Sequence, residues 1–202
     1  MKIIFDLDGT LICSKRRLYE LFCDLTMQSF IDFESYWNLK FNGSKNEDIL
    51  MHQLGFSNSQ INEFLAQWMK DIENDYYLSF DTLVPGVVDF LSEHCKDNNL
   101  YICTARQSIR QANKQLKDLG ILGFFNDVFV TEKNFSKEKI IRKSDLFLEK
   151  SDWFVGDTGH DITAGKELGV QTCAVLSGFM SEASLKSYNP DLVVLNVTKL
   201  KL

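Results

Sequence analysis

Proline is almost missing from this chain: Pro85 and Pro190 are the only two in 202 residues. No stretch is repeated or low in complexity, so repeat arrays and proline-rich linkers are excluded. Histidine is scarce as well, with His52, His94 and His160 alone. The five cysteines, Cys13, Cys23, Cys95, Cys103 and Cys173, show no C-x-x-C spacing, and none of the histidines offers an obvious base for a cysteine nucleophile. An odd number of thiols without a secretory segment is the pattern of reduced cysteines in a cytoplasmic protein. Cys103 and Cys173 lie in apolar runs and are expected in the core. The N-terminus lacks the basic region and longer apolar stretch of a signal peptide. No apolar run approaches the ~18 residues of a membrane span, so no membrane partner is expected. Positive charge is short too: 22 Lys and Arg against 28 Asp and Glu leave a net charge of −6. The longest basic run, Lys15-Arg16-Arg17, is expected to begin a solvated helix, and nucleic acid is not an expected partner.

Apolar residues make up 45% of the chain, which is ample for one substantial domain, or for a core domain with an inserted lobe. Apolar runs predict parallel strands near residues 2–6, 99–104, 127–131, 152–156 and 171–175, with a possible sixth near 192–195. Helical patterning occupies roughly 86–96, 107–119, 136–149 and 158–168. Strand and helix alternate as in a doubly wound α/β domain. Residues 15–84 break that rhythm. Leu18, Leu21, Phe22 and Leu25 recur at helical spacing, as do Ile61, Phe64, Leu65, Trp68 and Ile72, and Val84-Pro85-Gly86 ends the block. It reads as a helical insertion directly after the first strand.

The first eleven residues carry the strongest chemical signal. Ile3-Ile4-Phe5 is a short apolar run of the kind buried on both faces of a parallel sheet. It leads straight into Asp6-Leu7-Asp8-Gly9-Thr10-Leu11. In an extended segment Asp6 and Asp8 point the same way, and two such acids repel unless a cation lies between them. A hard divalent ion, Mg²⁺ above all, suits oxygen ligands. One carboxylate can attack phosphorus while the other handles the leaving-group proton. Gly9 permits a tight turn that brings backbone N–H groups near an anion. A strand ending in a polar turn is the bland alternative.

Two later strands end in similar fashion. Asn99-Leu100-Tyr101-Ile102-Cys103-Thr104-Ala105-Arg106 presents a hydroxyl at Thr104. The N–H groups of the turn that begins at Ala105 can join it in holding a phosphoryl oxygen, although Thr here also reads as a helix cap. Arg106 reads equally as an anion ligand or a surface ion pair. Ser151-Asp152-Trp153-Phe154-Val155-Gly156-Asp157-Thr158-Gly159-His160-Asp161 places Asp157 at a strand end and Asp161 one helical turn further on. Favourable acids at a helix start would look the same. His160, between them, is a poor partner for Mg²⁺.

Taken in order, Phe5-Asp6-Leu7-Asp8-Gly9-Thr10-Leu11, Thr104 and Gly156-Asp157…Asp161 resemble the first, second and fourth motifs of the haloacid dehalogenase superfamily, within its phosphoglycolate phosphatase and β-phosphoglucomutase-like subgroup. The resemblance covers nearly the whole chain. It implies a Rossmann-like core of residues 1–14 and 85–202, with strand order 5-4-1-2-3, and a helical cap of residues 15–84. It also implies a Mg²⁺-dependent phosphatase working through an aspartyl-phosphate. Asp6 would be the nucleophile and Asp8 the acid/base. Asp6, Asp157 and the Asp8 carbonyl would hold the metal, with Asp161 behind them. Thr104, Ala105 and a lysine would bind phosphate. Lys137, in Ser136-Lys137-Glu138-Lys139-Ile140, is the favoured lysine, with Lys133 and Lys139 as alternatives, since the common Lys-Pro form is absent. Phe41-Asn42-Gly43-Ser44-Lys45 resembles the cap loop that reaches the site in relatives, which makes Lys45 a candidate substrate contact. Cys13 replaces an Asp frequent in relatives. The expected partner is a small phosphorylated metabolite and the expected state a monomer or weak dimer. A sugar phosphomutase or a non-catalytic regulatory protein on the same fold remain alternatives.

Overall fold

The structure, a computed structural model, describes residues 1–27 and 31–201. Its main sheet has six parallel strands: β1 (Lys2–Phe5), β4 (Asn99–Thr104), β5 (Asp127–Val130), β6 (Trp153–Gly156), β7 (Gln171–Val175) and β8 (Leu192–Val194). The order is β5-β4-β1-β6-β7-β8. Numbered among the main-sheet strands alone, the first five run 5-4-1-2-3 when read from β7, as the resemblance implies, and β8 is the sixth strand, at the edge. Phe5 pairs with Ile102 on one side and Val155 on the other. Strand order therefore reverses around β1, and in open α/β sheets such a switch point opens a crevice at the carboxyl ends.

Alternation along the strands divides the core between two faces. Ile3, Phe5, Leu100, Ile102 and Val155 pack with Val87, Phe90 and Leu91 of α6 (Val87–His94) and with Ala112 and Leu116 of α7 (Ile109–Asp118). Ile4, Cys103 and Phe154 face the other way, against Ile141 of α8 (Lys137–Lys143) and Ala164 of α9 (Gly159–Leu168). A short α10 (Glu182–Lys186) adds Leu185 beside Ala174. Cys103 and Cys173 are buried, and all five cysteines are free thiols.

The segment between β1 and α6 leaves and returns through an antiparallel ribbon. In it, Ile12 and Cys13 of β2 (Ile12–Cys13) pair with Leu83 and Thr82 of β3 (Thr82–Leu83). Among the described residues, five helices lie between its two strands: α1 (Lys15–Thr26), α2 (Phe33–Phe41), α3 (Asn46–His52), α4 (Asn58–Asp71) and α5 (Asp75–Leu78). Asp32, Ser57 and Asn74 cap α2, α4 and α5 by accepting first-turn N–H groups. The helices close around their own cluster of Phe22, Tyr36, Trp37, Ile49, Leu50, Ile61 and Phe64. Phe179, from the loop after β7, stacks on Trp37 with centroids 5.6 Å apart and joins this cluster to the sheet.

Two expectations need correction. The helix expected over 136–149 stops at Lys143, because the extended Ser144 turns the chain: its hydroxyl donates to the Ile141 carbonyl and accepts from the Leu146 N–H. The basic run does begin α1, but only Arg16 is solvated there. Arg17 is buried.

Candidate active site

The pairing of β1 with β6 extends one residue past the strand, where the Asp6 N–H donates to the Val155 carbonyl at 2.8 Å. Asp6 is thus held at the switch point. The chain turns immediately after Asp8 at Gly9, with φ of +86°. A Cβ at Gly9 would stand 2.4 Å from Asp157 Oδ2, so this position needs glycine for both its backbone and its neighbour. Gly178 is closer still, since an added Cβ there would meet Asp157 Oδ2 at 1.9 Å. Asp157 Oδ2 accepts the Phe179 N–H at 2.8 Å, and the Thr10 hydroxyl donates to its Oδ1 at 3.4 Å. Asp161 caps its own helix, accepting the Thr158 N–H at 3.0 Å and the Thr158 hydroxyl at 2.6 Å on Oδ2.

These turns bring Asp6, Asp157 and Asp161 together, with carboxylate oxygens within 4.8 Å of one another. Lys137, at the start of α8, reaches in and donates to both Asp6 and Asp161. Burial raises the Asp6 pKa to about 7, opposed by Lys137 and reinforced by the Asp161 charge. Burial and the neighbouring Asp6 and Asp161 push Asp157 well above the ordinary carboxylate range. Burial works against the Lys137 ammonium, but Asp161 and Asp6 outweigh it and raise its pKa. Three buried acids around one ammonium leave excess negative charge, and the donors are all oxygens. That set fits a hard divalent cation.

Asp8 belongs to a second cluster. Arg106 grips it with two hydrogen bonds, Nε to Oδ2 at 2.5 Å and Nη2 to Oδ1 at 2.8 Å, and Arg17 Nη2 adds a third at 2.5 Å. Behind them, Asp81 lies 3.4 Å from both guanidiniums and accepts Gln115 Nε2 at 2.8 Å. Burial opposes ionisation of Asp8, yet Arg106 and Arg17 hold its carboxyl well below the usual range. Burial dominates at Asp81 and lifts it to about 6. Arg106 is therefore neither exposed nor free: it is the buried partner of Asp8.

A cleft of about 670 Å³ opens over both clusters, lined by Asp6, Asp8, Thr104, Ala105 and Lys137 among others. Lys133 lines it as an exposed side chain, whereas Lys139 does not line it. Of the three candidate lysines, only Lys137 reaches Asp6. Lys45 is not brought to the cleft. After the turn at Gly43, φ +91°, its N–H is taken by Asp48 Oδ2 and the residue caps α3 with its side chain exposed. Sequence reasoning missed Arg17, Asp81, Phe179 and Glu73. Glu73 follows α4, and its Oε1 accepts the Gln107 N–H at 2.6 Å. No spacing marks these residues, because each meets the site only through the packing of distant elements.

Fold and site together define a haloacid dehalogenase-like hydrolase, and the chain belongs to that family, whose model matches residues 3–175. Pyrophosphatase PpaX of Oceanobacillus iheyensis is 28% identical over 204 residues, covering 95% of this chain and 91% of that protein. A haloacid dehalogenase-like family hydrolase from Streptococcus pneumoniae superposes with a TM-score of 0.78 at 25% identity, covering 96% of this chain and 93% of the other. A predicted phosphoglycolate phosphatase from Haemophilus somnus shares the fold, with a TM-score of 0.71 at 19% identity over 96% and 93% of the two chains.

Proposed function

We propose that the protein is a Mg²⁺-dependent phosphomonoester hydrolase that works through an aspartyl-phosphate on Asp6. The observation that carries this reading is the convergence of Asp6, Asp157 and Asp161 around Lys137, in a cleft that Thr104 and Ala105 also line. Asp6, Asp157 and the Asp8 carbonyl would hold Mg²⁺, which when bound neutralises charge on the carboxylates and the phosphoryl oxygens. Asp161 orients Lys137. The Thr104 hydroxyl, the Ala105 N–H and the Lys137 ammonium bind the transferring group.

Asp6 attacks phosphorus in line, the P–O bond to the alcohol breaks, and Asp8 gives the departing oxygen its proton. Asp8 then takes a proton from water as that water displaces Asp6 and releases inorganic phosphate. For this, Asp8 gives up a guanidinium and takes a proton from solvent before the ester bond breaks, since both its oxygens are engaged by Arg17 and Arg106, which hold it ionised. Arg17 rides on α1, so a shift of the helical segment would move it. We take residues 15–84 as a lid over the cleft.

The test is phosphate release from p-nitrophenyl phosphate in Mg²⁺ and in EDTA, followed by borohydride reduction of the quenched reaction. Release in Mg²⁺ alone, with residue 6 recovered as homoserine by mass spectrometry, is the expected result. Release undiminished in EDTA, or reduction at another residue, would overturn the mechanism.

A further inference from the structure

We propose that the cleft selects phosphomonoesters with an apolar leaving group, an alkyl or aryl alcohol, over those whose leaving group carries a second anion. This rests on the phosphomonoesterase reading above and assigns its substrate class. In-line attack by Asp6, on the floor of the cleft, directs the leaving oxygen away from the sheet and toward the helical segment. The surface met there is apolar. Leu18 of α1, Trp68 and Met69 of α4, and Ile72 just beyond it line the cleft from that side, and Phe135 and Phe179 line it from the core. Trp68 is set in place by stacking on Phe64, with centroids 5.5 Å apart and planes at 28°.

The charges lead to the same class. Lys137 is committed to Asp6 and Asp161, and Arg17 and Arg106 are shared between Asp8 and Asp81, so the guanidinium that Asp8 releases keeps Asp81 as its partner. Among the described lining residues, Lys133 is the one cation outside these pairs, and it shares the cleft with Glu73, Glu138 and Glu167. A leaving phosphate or carboxylate would therefore face more negative than positive charge, beside an apolar wall that cannot solvate it. About 670 Å³ is also the size of a site for an organic ligand and far exceeds a phosphate ion. On this basis the chain departs from the pyrophosphate activity in its relatives' name.

A series of n-alkyl phosphates from ethyl to octyl tests this, because charge and leaving-group basicity stay nearly constant while apolar length grows. With the full chain in Mg²⁺, kcat/KM is expected to rise roughly two- to fourfold per methylene until the cleft is filled. Pyrophosphate and phosphoglycolate should fall below hexyl phosphate. Met69→Lys and Trp68→Ala should each flatten the slope, which is a ratio within one preparation and so does not depend on how much of a variant is folded. A flat series in the parent enzyme, or pyrophosphate hydrolysed faster than hexyl phosphate, overturns the proposal while phosphatase activity stands. No release from any ester, p-nitrophenyl phosphate included, overturns the phosphatase reading and this proposal with it.

Discussion

Asp6 and Asp8 are two residues apart, yet they live in ionic clusters of different origin. The Asp6 cluster is built entirely from the sheet region: Asp6 after β1, Asp157 after β6, Asp161 in α9 and Lys137 in α8. The Asp8 cluster spans both regions, with Arg17 in the helical segment, Asp81 at its return, and Arg106 and Gln115 in the sheet region. Sheet register holds the first rigidly, because a buried strand cannot slip without exposing its apolar face. The second depends on how the helical segment sits. On the proposed mechanism, chemistry common to all substrates resides in a fixed frame, and the carboxylate assigned to proton transfer is tied to the segment proposed as a lid.

The sharpest break in that comparison is Asp6→Asn. An amide cannot form the acyl-phosphate, so steady-state phosphate release should drop at least ~10⁴-fold, the scale on which losing one essential group acts. Lys137→Met comes next: removing one fixed donor to developing charge typically costs about 10²–10³ in kcat. The loss should be alike for alkyl and p-nitrophenyl phosphates, because the group they share is the one affected.

The Asp8 cluster is expected to fail differently. Arg17→Met removes one partner from a buried ionic network, and urea unfolding should report a loss of about 3–5 kcal/mol. Paired with Asp81→Asn, the losses should fall short of the sum, since the two side chains share one network. Simple additivity would show that the helical segment does not tie this cluster together.

A smaller effect separates the clusters by pH. Asp6 ionises at about 7 rather than the ordinary 3.8. Between those values the folded state keeps a proton that the unfolded chain has lost. Metal-free stability should therefore fall as pH rises from about 4 to about 7. Melting temperatures in EDTA across that range should show the decline, Mg²⁺ should reduce it toward the share of Asp81, itself raised to about 6, and Asp6→Asn should remove the Asp6 share. The smallest effect belongs to Lys45→Ala. Lys45 is exposed and outside the cleft, so kcat/KM should stay within experimental scatter for both charged and apolar esters. A loss confined to anionic substrates would restore Lys45 as a substrate contact.

What was legible in the sequence was what strand and helix make local. Ile3-Ile4-Phe5 running into Asp6 reads directly as a buried strand with a carboxylate at its end. Gly156-Asp157 repeats that arrangement, and a 3.6-residue period gave α1 and α4 of the insertion, whereas α2, α3 and α5 carried no such signal. Lys137 needed the resemblance, because one lysine in a charged stretch carries no pattern of its own. Lys45 misled because a glycine turn before a lysine looks the same whether it faces a cleft or solvent. Arg17 misled in the opposite sense. It sits in a basic run, but helix rotation buries it while Arg16, one position earlier and about 100° around the helix, stays in water.

By itself, then, the sequence determined the alternation of the main-sheet strands with their flanking helices and the acids at the strand ends, since these follow from short-range periodicity and turn chemistry, while the family came from the resemblance of its ordered motifs. Tertiary structure alone decided that Asp8 pairs with Arg106, 98 residues away, that Asp81 stands behind both arginines, and that Trp68 and Ile72 form an apolar wall over the acids. Ion pairing and cleft shape depend on distances between elements, and no local pattern in a chain encodes which distant side chains close packing will bring face to face.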